Sequence, residues 1–164
     1  MAYTPATPEL GIQPIGAISA QNHPLGTIVK AFDPTFGEGE FIYLKGVAST
    51  KVGSVVIYDG TTYLTTLTAV TSNQARPVAI AMAANTLTSG YAWYQIGGTA
   101  VAAKGSASIQ PKVTVGVATI GLIGNTLTGK EIQGARSANA ATLTAAIGTI
   151  QLVINRPHMM GRVT

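Results

Sequence analysis

The chain has no cysteine, which removes disulfide frameworks, thiol nucleophiles and thiolate metal sites together. Charge is also scarce. Charged residues make up 10% of the 164, against roughly 25% in an ordinary soluble domain, so Gly, Thr, Ser and Ala must cover the surface instead. With 46% hydrophobic residues and a mean hydropathy of +0.33, this is not a disordered, highly charged chain. It fits a protein whose surface is largely covered by partners. No apolar run approaches the length of a membrane helix, Val78 to Ala84 being among the longest, so no membrane span is expected. The opening Met1-Ala2-Tyr3-Thr4-Pro5 lacks a basic region followed by an apolar stretch. No secretory leader is therefore expected, and synthesis and use on the cytosolic side follow.

Groups for acid–base or metal chemistry are few. The chain has six carboxylates and two histidines, His23 and His158, and an enzyme must bring an acid, a base or a metal together. There is no Gly-x-Ser-x-Gly elbow and no paired-histidine zinc spacing. Gly124-Asn125-Thr126-Leu127-Thr128-Gly129-Lys130 matches the first seven positions of a phosphate-binding loop. Glu131 then stands where a hydroxyl must hold magnesium, and Ile132-Gln133-Gly134 opens no helix, so a β-turn is the better reading. Asp33, Glu38 and Glu40 flank a Gly-rich turn, but their spacing fits no calcium loop. A salt bridge to a basic partner suits them better. No catalytic residue, cofactor, metal or small-molecule substrate is expected.

The net charge of +4 is uneven. Residues 1–100 carry four cations and five carboxylates, whereas residues 101–164 carry six cations and only Glu131. Such asymmetry serves nucleic acid or an acidic protein surface. The cations stand singly rather than in runs, which disfavours nucleic acid.

Residues 1–26 hold four of the eight prolines and one charge, Glu9, together with Leu10, Ile12, Ile15, Ile18 and Leu25. Proline and its preceding residue favour extended backbone. Two readings stand side by side: a loop packed on its own domain, and an extended arm lying on a neighbouring subunit. From residue 27 to 156 the pattern is β. Strands are predicted at 26–32, 40–45, 54–58, 62–67, 78–83, 91–96, 99–102, 113–117 and 149–154. Asp59-Gly60 marks a hairpin, and Gly97-Gly98 is read as a turn. Valines alternate along Val113-Thr114-Val115-Gly116-Val117, and Ile150, Leu152 and Ile154 share one face. Turn signals every 8–12 residues mark a sandwich or barrel. Residues 138–147 alone hint at one short turn of helix, weakened by Thr142, Thr144 and Gly148. Asn85-Thr86-Leu87-Thr88 recurs as Asn125-Thr126-Leu127-Thr128, too few copies for a solenoid. The fold expected is mainly β, a compact β-barrel or β-sandwich with an extended N-terminal arm, little helix and a C-terminal tail from 157 to 164.

Tyr91-Ala92-Trp93-Tyr94 offers two readings, core and interface packing or a sugar-binding face. In the tail, Arg156, His158, Met159, Met160 and Arg162 cluster, and Met and Arg are enriched at protein interfaces. These residues, with Tyr3, Leu10, Ile12, Ile15 and Ile18 of the arm, are the candidate partner interface.

Two stretches carry a resemblance. Leu25-Gly26-Thr27-Ile28-Val29-Lys30-Ala31-Phe32-Asp33-Pro34 followed by Gly37-Glu38-Gly39-Glu40-Phe41-Ile42-Tyr43-Leu44-Lys45-Gly46, and the later Gly-, Ala- and Thr-rich series ending in Ile150-Gln151-Leu152-Val153-Ile154-Asn155-Arg156-Pro157, resemble capsid decoration (cement) proteins of tailed bacteriophages. The likeness spans roughly residues 25–157 and is one of texture and strand order. It implies a small β-rich virion protein, made in the host cytoplasm, that binds the outside of an expanded shell and stabilises it. Its partners would be the major capsid protein and itself, as a homotrimer rather than a dimer. The alternative is a carbohydrate-binding or host-attachment β-module of a virion.

Overall fold

The computed structural model describes residues 4–5, 16–87, 89–106 and 108–161. Eleven strands form one sheet system: β1 Thr4–Pro5, β2 Ile28–Asp33, β3 Gly37–Lys45, β4 Val55–Tyr58, β5 Thr65–Leu67, β6 Val78–Ala81, β7 Tyr91–Lys104, β8 Thr114–Thr119, β9 Leu122–Gly124, β10 Glu131–Ser137 and β11 Gly148–Met159. No helix occurs among the described residues. Five strands close into a barrel in the order β7, β11, β10, β8, β9. The ring is completed by a parallel pairing of Lys104 with Ile123, where the Gly105 amide donates to the Ile123 carbonyl at 2.8 Å. Closure leaves no open edge along the ring.

Alternation builds the barrel's interior. On β11, Ile150, Leu152 and Ile154 point inward and are at most 2% exposed; Thr149, Gln151, Val153 and Asn155 point outward. On β7 the inward residues are Ala100, Ala102 and Lys104. Small inward chains on β7 suit a narrow ring, and the Ile and Val of its neighbours fill it. Each large aliphatic side chain buried there contributes about 1.5–3 kcal/mol of transfer free energy.

A second sheet region, the wing, grows from the first half of β7. Gln95 pairs with Phe41 of β3 on one edge and with Ile80 of β6 on the other. β2 and β1 extend the β3 side, and β4 and β5 extend the β6 side. Each wing face carries a buried cluster, Val29, Ala31, Phe41, Tyr43 and Trp93 on one and Ile42, Leu44, Tyr94 and Ile96 on the other, while Ile28 and Phe32 of β2 stay exposed.

Four sequence expectations differ from what is observed. Gly97-Gly98 is not a turn; β7 runs through it for 14 residues. The pair is a bend that hands the strand from wing to barrel. Gln95 Nε2 stitches it by donating to the Gly97 and Thr99 carbonyls, both at 3.0 Å. Gly98 has φ +86°, and a Cβ there would collide with the Glu38 carbonyl, so glycine is required. Residues 138–147 form no helical turn, because their backbone bonds go elsewhere: the Ala138 amide to Gln151 and the Leu143 amide to Ile109. Strands β9 and β10 were not foreseen. The C-terminal tail does not begin at 157, since β11 continues to Met159 and pairs with β10 at His158 and Met159. Between these ends, Asn155, Arg156 and Pro157 face Gly134 alone, a bulge that accommodates Pro157 within the strand.

Candidate functional site

The predicted interface residues fall into three groups. Tyr3, Leu10, Ile12, Ile15 and Arg162 lie outside the described residues. Ile18 exchanges backbone hydrogen bonds with Tyr91 at 2.9 and 2.8 Å. Thr4 and Pro5 pair with Phe32 and Ala31. The described parts of the arm therefore lie on their own chain. His23 packs its ring 5.2 Å from Tyr43 and 5.3 Å from Trp93, which holds this segment against the wing's aromatic cluster.

In the C-terminal strand the candidates are separated rather than gathered. Met159 is fully buried within the barrel core, so its side chain packs the interior; strict alternation from Ile154 would turn it outward, and the bulge at 155–157 shifts the phase by one residue. Met160 is half-buried beside Leu127 and Glu131 in an open groove of about 390 Å³. His158 is exposed, with Nε2 2.7 Å from the Gln133 side-chain oxygen. Arg156 sits at the bulge with φ +41°. Its guanidinium donates twice to Glu40 on β3, Nε to Oε2 and Nη2 to Oε1, each at 3.1 Å. The Arg156 hydrogen bonds hold the Glu40 carboxyl below its usual pKa, with burial opposing; Glu40 in turn raises Arg156. The bulge thus aims a barrel side chain at the wing.

The acidic turn is likewise spent. Asp33 is buried and its Oδ1 accepts the Thr35 and Phe36 amides at 2.8 and 3.0 Å. Glu38 pairs with Lys30 at 2.7 Å, which raises the lysine's pKa. Among the described residues no group of three potential ligands could hold a metal ion. The phosphate-loop lookalike is a turn closed by the Lys130 amide on the Leu127 carbonyl at 2.9 Å, and it leads into strand β10. Trp93 and Tyr94 are 2% and 1% exposed and pack in separate clusters on opposite sheet faces, so neither is presented as a sugar platform.

The outward surface holds what the sequence did not reveal. Ile147 is 83% exposed and Val153 53%. Residues 140–142 and 144–147 are all exposed, although five of those seven are Ala or Ile. This loop is nevertheless anchored. Lys104, buried at 2% exposure, ends the inward row of β7, and its Nζ donates to the Ser106 carbonyl at 3.0 Å and to the Ala145 carbonyl. Nearby, Phe36, Val52, Met82, Val101 and Thr149 line an apolar groove of about 250 Å³. The only sequence signal is the segment Ala138 to Ile147, which hints at one short turn of helix.

Comparison with protein-family models, with curated proteins and with solved structures found no match to this chain.

Proposed function

We propose that this chain is a structural virion protein that binds the outer surface of a tailed-phage capsid and stabilises the shell, acting by adhesion rather than by making or breaking bonds. The observation that carries this reading is a closed barrel whose outer surface displays large aliphatic side chains, Ile147 foremost and Ile120, Leu127 and Val153 after it. Exposed apolar area on a well-ordered body is the property of a contact surface. The resemblance of residues 25–157 to decoration proteins supports the same reading. The partners are the major capsid protein and further copies of the chain, and repetition over a symmetric shell adds avidity to modest single contacts.

The test is to mix the purified protein with expanded, empty heads of the virus that encodes it, and to follow co-sedimentation and the temperature at which the heads rupture. Saturable binding with a raised rupture temperature is expected. Heads that sediment bare at all protein concentrations would refute the proposal. Light scattering on the free protein is expected to give three times 16.8 kDa.

A further inference from the structure

The wing and the barrel share one plan. In the wing, β3 pairs with the first half of β7, β7 with β6, β6 with β4 and β4 with β5. In the barrel, the second half of β7 pairs with β11, β11 with β10, β10 with β8 and β8 with β9. Taken in chain order, the two sets of five strands are joined in the same way. The third strand of each set then meets the first in parallel: Leu64, just ahead of β5, with Lys45, and Ile123 of β9 with Lys104. β1 and β2 have no counterpart on the barrel and leave the wing its open edge.

Strand order alone is a weak sign of kinship, but the details recur as well. The β4–β6 register, Val55 with Ile80, Val56 with Ala79 and Ile57 with Val78, is matched by Thr114 with Arg136, Val115 with Ile132 and Gly116 with Glu131. The Gly53 amide donates to the Ala81 carbonyl at 2.8 Å and the Ala81 amide to Ser54 at 2.9 Å; Lys112 with Ser137, and Ser137 with Val113, do the same at 3.0 and 2.9 Å. The Asn85 amide on the Thr50 carbonyl has its counterpart in the Leu143 amide on Ile109, both at 2.9 Å. The loops that carry these bonds bend alike. Ser49 and Gly53 have φ of +69° and +81°, and Ser108 and Lys112 have +57° and +58°. Positive φ is uncommon at serine and lysine, so its return at matching places is informative. Lys45-Gly46 and Lys104-Gly105 are a trace of the same repeat in the sequence.

The two units differ on one face. Val56 and Ala79 face the wing's own cluster, whereas Val55, Ile57, Val78 and Ile80 turn the other way and join the barrel core, at most 5% exposed. The matched register assigns their places on the barrel to Thr114, Gly116, Glu131 and Arg136. None of these is aliphatic; Thr114 and Arg136 are exposed and Glu131 is half-buried. A stack of repeats needs a polar outer face on its last unit.

We infer that residues 37–159 are a duplicated five-strand unit, that the outer face of β4 and β6 seats the first unit on the second, and that the matching face of β8 and β10 is a polar cap that ends the stack at two.

The test exchanges residues between matching positions. Val55→Thr, which gives the wing the barrel's residue, should lower the thermal unfolding midpoint. It should also speed hydrogen exchange about tenfold at the Gly121 amide, which bonds the Thr68 carbonyl across the junction at 2.9 Å, because a hydroxyl is then buried among aliphatic groups. The reverse change, Thr114→Val, should leave both unchanged. Thr114→Val with Arg136→Ile should bare an apolar face beside the exposed Val153 and add species above the wild-type mass in sedimentation velocity. Val55→Thr behaving as wild type would overturn the seat. The double variant sedimenting as wild type at every concentration would overturn the cap. In a crystal structure, β3, β4, β5, β6 and the first half of β7 should superpose in that order on the second half of β7, β8, β9, β10 and β11; strands that do not superpose would overturn the duplication.

Discussion

The barrel and the wing solve the same problem differently. The barrel is closed, aliphatic and narrow, and hydrogen bonding around the ring leaves no edge to protect. The wing is open and carries the large aromatics Phe41, Tyr43, Trp93 and Tyr94, and its faces need covering. One is covered with the help of residues 16–26, through Ile18 on Tyr91 and His23 on the Tyr43–Trp93 pair. The two ion pairs among the described residues, Lys30–Glu38 and Arg156–Glu40, lie on the wing or join it to the barrel. The barrel wall keeps Arg136 and Lys112 free of carboxylates. Exposed apolar side chains occur on both regions, Ile28, Phe32 and Leu64 on the wing side and Ile147 and Val153 on the barrel, so the two differ in how they close their cores rather than in what they leave outward.

Substitutions sharpen this contrast. Trp93→Ala should produce the largest loss, about 3–5 kcal/mol from the cavity left by a fully buried indole, read by urea unfolding followed by far-ultraviolet circular dichroism. Leu152→Ala in the barrel should cost about 2–5 kcal/mol, at the lower end if the aliphatic interior closes around the gap. A loss there exceeding that of Trp93→Ala would reverse the ranking of the two cores. Gly98→Ala, at the bend between them, should cost about 1–3 kcal/mol through its positive φ and its clash with the Glu38 carbonyl; a neutral result would show that the bend tolerates ordinary strand geometry. The smallest effect belongs to the Arg156–Glu40 link. Because Glu40 titrates below its usual value near 4.5, its contribution is complete above that pH and is lost as pH falls through the lowered value. Thermal unfolding of wild type and Glu40→Gln should therefore differ slightly at neutral pH and converge in acid. A difference that persists in acid would mean that the ion pair is not its source.

Local signals carried much of the fold. Alternation located the inward faces of β8 and β11, and Asp59-Gly60 located the hairpin between β4 and β5. What remained hidden depends on distant partners. Gly97-Gly98 reads as a turn until β3 and β11 are seen to take successive halves of β7. β9 is three residues long and acquires meaning only by closing the ring. Arg156-Pro157 reads as a strand end because the bulge that carries the strand past it is set by Gly134 on another strand. Of the candidate interface, the sequence named Arg156 and Met159 by residue type, but type does not report that one is engaged by Glu40 and the other faces inward. Ile147 and Lys104 were illegible for the converse reason: an apolar run is normally buried, and nothing local shows that a lysine buried at the end of β7 holds this one outside.

Imaging of expanded heads saturated with the protein bears most directly on adhesion as the activity. Added density of barrel shape at regular lattice positions is the expected result. Heads indistinguishable from untreated ones at saturating protein would contradict it.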